Sequence, residues 1–206
     1  MSWLGEQVAL LRAFLRTDYR RMLGFCALGM LGAVVLGTVI GLAAPEVVLK
    51  ALDAFMAQME QTGVVDEGGN FSVFVLLMNN WRAMLLSAAY GFIPFLFLPL
   101  VSLLTNGLLL GLLASLFLSS GALLPYLAGI LPHGIFEIPA IVLSIACGML
   151  LCRNMCRLVT GSPKRQPMVE LLGDLLRVIL LLVMPLTVAA AVVECYVTPL
   201  AMGLFV

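Results

Sequence analysis

The sequence predicts an all-α, polytopic membrane protein with about five transmembrane helices and amphipathic helices at the interface. Three observations predict it. The chain is 63% hydrophobic and only 11% charged, whereas a soluble domain carries roughly 25% charged residues. Its mean hydropathy is +1.14, and its apolar runs reach the roughly 20 residues a helix needs to cross a bilayer. Strand-like alternation is absent, which argues against a transmembrane barrel. Basic and acidic residues number 11 each, so no net field draws the chain to nucleic acid.

Residues 1–21 form a basic arm. Trp3, Leu4, Val8, Leu11, Phe14 and Leu15 make one stripe at helical spacing, and Arg12, Arg16, Arg20 and Arg21 fall on the remainder. Such a helix suits an anionic membrane surface. Residues 22–44 are the first span, too long for a signal-peptide core and followed by Pro45, so retention is expected. Gly29, Ala33, Gly37 and Gly41 recur every four residues along it. That leaves a smooth ridge where a second helix can approach closely.

Residues 45–70 are an acidic insert. Val48, Leu52, Phe55 and Met59 make an apolar helix face after Pro45, with Glu46, Lys50, Asp53 and Glu60 opposite. A polar loop with Asp66 and Glu67 follows over 63–70. The apolar stretch 71–99 is too long for one straight span, since ~1.5 Å per residue would carry it beyond ~40 Å. Asn79, Asn80, Trp81 and Arg82 interrupt it, and Trp favours the membrane–water interface. The second span is therefore expected over 82–100, with 71–80 projecting or lying flat.

The third span is 103–120, with a second small-residue ridge of Gly107, Gly111 and Ser115. Asn106, near its start, can cap it or bond across to a neighbour. Residues 121–129 are too short to cross and read as interfacial or re-entrant. Pro132 can open a helix, so the fourth span is 132–152. A basic loop with Arg153, Arg157, Lys164 and Arg165 fills 153–167. The fifth span is 172–194, with Glu194 and Tyr196 at its far interface. Cys26, Cys147 and Cys195 sit in apolar runs as small core residues. Cys152 and Cys156 are one turn apart but too few for a metal or redox site, which leaves helix packing.

The basic arm and the basic loop belong on the cytoplasmic side by the positive-inside rule. The acidic insert belongs opposite. One span separates arm from insert and three separate insert from loop, which agrees with five spans, N-terminus in and C-terminus out.

His133 is the only histidine. It lies i, i+4 from Glu137 and shares a helix face with it. The second and fourth spans both enter from outside, so Arg82, Asn79, Asn80, His133 and Glu137 are expected in one outer layer, with Asn106 adding a further amide. Ionisable side chains inside a membrane are costly and face the interior or a wet cavity. An Arg82–Glu137 ion pair would satisfy two of them, and His133 could bond Asn79 or Asn80. One histidine and one glutamate fall short of the three protein ligands of a catalytic zinc site, so no metal and no cofactor are expected. No catalytic set is readable, and the chain reads as non-enzymatic.

Three runs carry a family resemblance. They are Asn79-Asn80, then Asn106-Gly107 with Gly111, then Leu131-Pro132-His133-Gly134-x-x-Glu137-x-Pro139-Ala140 with Gly148. Through them the chain, over roughly 71–154, resembles the stage II sporulation protein M family of integral membrane proteins. The resemblance implies a non-enzymatic component of a bacterial or archaeal membrane. In spore formers, members work beside cell-wall hydrolases during engulfment.

Two functions are therefore expected to compete. One is a scaffold or assembly subunit of the prokaryotic cytoplasmic (inner) membrane, a homodimer joined through the small-residue ridges, with lipid and a cell-envelope protein as partners. The other is a transporter or channel-like subunit that uses His133, Glu137 and Arg82 as a substrate or proton site.

Overall fold

The computed structural model describes residues 3–62 and 72–205. The polar loop expected over 63–70 lies outside them, as do the side chains of Met59, Glu60 and Thr62. Among the described residues every regular element is a helix: α1 (Trp3–Leu15), α2 (Asp18–Ala43), α3 (Pro45–Thr62), α4 (Val73–Ala89), α5 (Pro99–Ser119), α6 (Leu123–Val159), α7 (Met168–Val178), α8 (Met184–Tyr196) and α9 (Thr198–Met202). A π-helical bulge, Ile179–Val183, joins α7 to α8. The run Met168–Tyr196 is thus one continuous crossing element.

By length and composition, four elements can cross a membrane: α2, α5, α6 and the α7–α8 run. The remaining span expected, over 82–100, is not supplied by one long helix, because α4 is short. At 17 residues it reaches about 26 Å at ~1.5 Å per residue, short of the roughly 30 Å hydrocarbon core. It also occupies Val73–Ala89 rather than the expected 82–100. Residues 73–80, expected to project, are helix inside the bundle. Beyond Ala89 the chain makes a 3₁₀ turn, Tyr90–Phe92, then irregular backbone with positive φ at Phe95 (67°) and Phe97 (45°). Gly91 and Pro94 explain the break, since proline ends the hydrogen-bond ladder. The thiols of α6 tie the irregular strap down. Cys152 Sγ donates to the Ile93 carbonyl at 3.4 Å, and the Phe95 N–H donates to Cys156 Sγ at 3.1 Å.

The small-residue ridges meet each other. A methyl at Gly37 would strike the Leu108 backbone, one at Gly111 the Val34 carbonyl, and one at Gly107 the Ala33 methyl. Gly29 faces Leu103 and Gly41 faces Ser115. Residue numbers rise together in these pairs, so α2 and α5 run parallel. The ridges are spent inside one chain and are not available to join two copies.

The same reasoning orients α4. Ser144 donates to the Met84 carbonyl, Gly148 meets Ser87 and Ala88, and Gly91 meets Gly148 and Leu151. Helix α4 is therefore parallel to α6. Helix α6 is antiparallel to α2, because Arg153 pairs with Asp18 at 2.8 Å and the Tyr19 hydroxyl donates to the Leu143 carbonyl at 3.0 Å. Directions thus alternate through α2, α4, α5, α6 and α7–α8, with α4 and its strap making one traverse together.

Helix α6 is the axis of the bundle. In its most apolar stretch 67% of residues are buried, against 22–28% for the other spanning elements. Ala140, Ser144, Ala146, Cys147 and Gly148 let neighbours approach it from several sides. It begins at Leu123, not Pro132. Both Pro132 and Pro139 lie within it, and the stretch 121–129 forms no separate re-entrant segment. A proline in a membrane helix is tolerated where neighbouring helices take up the freed backbone groups.

The arm is shorter than expected. Helix α1 ends at Leu15 and the first span begins at Asp18 rather than residue 22. Leu11 and Phe14 are buried in the main core. Gln7 accepts a 2.8 Å hydrogen bond from Arg177, whose guanidinium also pairs with Asp174 at 2.8 Å. The arm therefore docks on α7, so its apolar stripe serves the bundle as well as any surface.

Candidate functional site

Between α3, α4, α5, α6 and α8 lies a cleft of about 390 Å³. Its polar lining is Asn79 and Asn80 from α4, Asn106 from α5, His133 and Glu137 from α6, and Glu194 from α8. A smaller chamber of about 60 Å³ continues it past Asn80, Asn106 and Glu137 to Ser87 and Ser144. Phe55 and Gln58 of α3 also line the larger space. Counting ~20 residues, one bilayer thickness, back from Arg153 along α6 reaches His133. The polar layer thus sits toward the rim opposite the basic loop, with the first turns of α6 standing beyond it.

The geometry is set from α6. One turn apart, His133 Nε2 and a Glu137 oxygen lie 3.8 Å from each other. Glu194 arrives from antiparallel α8, and one donor atom from each of the three residues falls within 4.8 Å of the others. The other ring nitrogen of His133 is held by α9: Nδ1 lies 3.2 Å from the Thr198 hydroxyl. That hydroxyl donates its single proton to the Val193 carbonyl at 3.3 Å. The Thr198 hydroxyl thus bridges the ring and the α8 backbone, which fixes the imidazole with Nε2 facing two carboxyl groups. Asn106 turns its amide back to the Ser102 carbonyl at 2.7 Å. The Asn80 Nδ2 atom is buried and has no hydrogen-bond partner.

Five of the six residues expected in the polar layer line this cleft; Arg82 does not. The helix turns ~100° per residue, which puts Leu76, Asn79, Asn80, Ala83 and Ser87 on one face of α4 and Arg82 about 110° away. Arg82 is exposed, and the Arg82–Glu137 ion pair does not form. Among the described residues no Lys or Arg forms an ion pair with Glu137 or Glu194. His133 bonds Thr198 rather than Asn79 or Asn80. Asn106 is no cap, because α5 starts at Pro99 and places it two turns in. Trp81 marks no interface; its indole N–H donates to Thr187 on α8 at 2.6 Å.

Glu194, expected at the far interface, was not expected to join His133 and Glu137 there, and Thr198 had no assigned role. The sequence signal for both was depth. The last spanning element runs antiparallel to α6, so its end meets the first half of α6.

Comparison with known proteins follows the same residues. The model of a family described as stage II sporulation protein M matches residues 22–199, a stretch that contains every side chain named in the cleft. An uncharacterized protein of Methanocaldococcus jannaschii is 33% identical over 125 residues, which is 60% of this chain and 69% of that protein. No solved structure matches the chain.

Proposed function

Since the chain belongs to the stage II sporulation protein M family, we propose that it is a non-enzymatic inner-membrane protein whose cleft admits a small polar solute, as a transport or channel-like subunit. One observation carries this reading. The histidine layer is not sealed by packing but borders a cleft of about 390 Å³. A clasp that only fixed helix arrangement would pair its polar groups and exclude space around them. Here two carboxyl groups lack a cationic partner and an asparagine amine is unsatisfied. The basic arm and loop on the cytoplasmic side and the C-terminus outside complete the arrangement.

The test is solvent access. Leu113→Cys, with Cys156 and Cys195 replaced by Ser, is expected to react with a membrane-impermeant maleimide in proteoliposomes. Gln61→Cys, on exposed α3, is the positive control. Labelling at Gln61→Cys alone would overturn the reading.

The scaffold reading keeps one support. Helix α2 turns Leu28, Leu31, Val35 and Val39 outward, a face that lipid or another membrane protein can cover. A homodimer would have to use such a face, because the glycine ridges are taken. Cysteine cross-linking along Leu31 and Val35 in native membranes tests it: cross-linked dimer supports the homodimer, and monomer alone removes it.

A further inference from the structure

We infer that the cleft takes a divalent first-row transition-metal cation, held by His133 Nε2 and one oxygen each from Glu137 and Glu194. The inference rests on reading the cleft as a solute site and names the class of that solute.

Donor geometry is the first argument. Imidazole nitrogen and carboxylate oxygen bind such ions at about 2.0–2.2 Å, so neighbouring donors of a tetrahedral ion lie about 3.4 Å apart. The three donor atoms already fall within 4.8 Å of one another, with His133 and Glu137 at 3.8 Å. Side-chain rotation of an ångström or so closes the set without moving a helix.

The second argument is independent of the cluster itself. Thr198, on a different helix, holds Nδ1 at 3.2 Å and so turns Nε2 toward the two carboxyl groups. A hydrogen bond on the far ring nitrogen is what orients a metal-binding histidine and fixes its tautomer. Charge agrees as well. A neutral imidazole and two carboxylates sum to −2, which a divalent cation cancels, and no Lys or Arg competes for that role among the described residues. In a medium of low dielectric a neutral loaded site costs far less than an uncompensated pair of like charges.

Three protein ligands leave a fourth position open, and Asn79 and Asn80 line the same cleft. Their amides can hold a water on the ion or receive the ion as it moves. One nitrogen ligand disfavours Mg²⁺ and Ca²⁺, which take all-oxygen sites. Zn²⁺ should bind more tightly than Mn²⁺, in the usual order for such donors.

The experiment is titration of the purified full chain in nanodiscs with Zn²⁺ or Mn²⁺ alone, read by calorimetry and by metal content after dialysis. The expected result is one Zn²⁺ per chain. Glu194→Gln and His133→Gln should each weaken it at least 100-fold, and Thr198→Val about 10-fold. Co²⁺ in place of Zn²⁺ should give the visible absorption of a four-coordinate N/O site, lost in Glu194→Gln. Folding is checked by melting: Zn²⁺ should raise the Tm of the parent protein and leave that of Glu194→Gln unchanged. No binding by the parent protein, or equal binding by Glu194→Gln and His133→Gln, overturns the inference. If Leu113→Cys is labelled and no metal binds, the ion assignment falls and the open cleft stands. If Leu113→Cys is not labelled, the open-cleft reading falls, and the ion assignment falls with it unless Zn²⁺ binds the parent protein and is lost in Glu194→Gln.

Discussion

Gly111→Ala is the sharpest test of how the bundle is held. A Cβ at Gly111 would meet the Val34 carbonyl, the Thr38 nitrogen at 2.7 Å and the Gly37 Cα at 2.9 Å. All three are backbone atoms of α2, so no side chain can swing away and α2 and α5 must part. Overpacking of this kind costs about 1–3 kcal/mol, and a wholly backbone obstacle puts this site at the upper end. At about 2–4 °C per kcal/mol for a chain of this size, Tm should fall by about 6–12 °C. Gly24→Ala is the control, since a Cβ there meets nothing within 4 Å. Exchanging glycine for the better helix former should leave Tm level or raise it slightly. The assay is thermal unfolding of both variants in one detergent, read by circular dichroism. Equal melting of Gly111→Ala and Gly24→Ala would refute the packing of ridge on ridge.

The remaining predictions concern single contacts. Tyr19→Phe removes a buried hydroxyl that donates to the Leu143 carbonyl at 3.0 Å and should cost about 1–1.5 kcal/mol in the same melting assay. Asn154→Ala cuts both bonds to the Gln166 backbone, at 3.1 and 2.8 Å. It should speed proteolysis of the exposed 161–165 loop several-fold with little change in helix content. Arg82→Ala removes an exposed side chain with no acidic partner and should leave stability within about 0.5 kcal/mol and metal titration unchanged. A large loss in either would restore the abandoned ion pair with Glu137.

What the sequence made legible was spacing, and what it hid was phase and continuity. Glycines every four residues announced the α2 and α5 ridges, because small residues at one helical phase have few uses in lipid besides close approach. Whether they joined two chains or one was hidden, since a ridge does not name its partner. Asn79, Asn80, Asn106, His133 and Glu137 stood out as polar groups in apolar sequence, and all five line the cleft. Arg82 stood out equally but lies about 110° off that face at ~100° per residue, so depth alone could not place it. Reading Pro132 as a helix start cut α6 short. Packing on several sides carries that helix through two prolines, and no local rule registers such support. The truncation obscured how far the end of the chain reaches back along α6, so neither the approach of Glu194 to Glu137 nor the role of Thr198 was read. Helix α4 misled for a related reason: Trp81 looked interfacial because its partner, Thr187, is 106 residues away.

The account depends above all on Glu194 meeting Glu137 and His133 across two helices. The most direct measurement is cross-linking of a Glu137→Cys/Glu194→Cys protein in membranes, with a protease site placed in the 161–165 loop so that cleavage separates α6 from α8. A short bifunctional thiol reagent should keep the two fragments joined in the double variant and in neither single variant. Fragments that part freely, while a Trp81→Cys/Thr187→Cys control holds them together across α4 and α8, would contradict it.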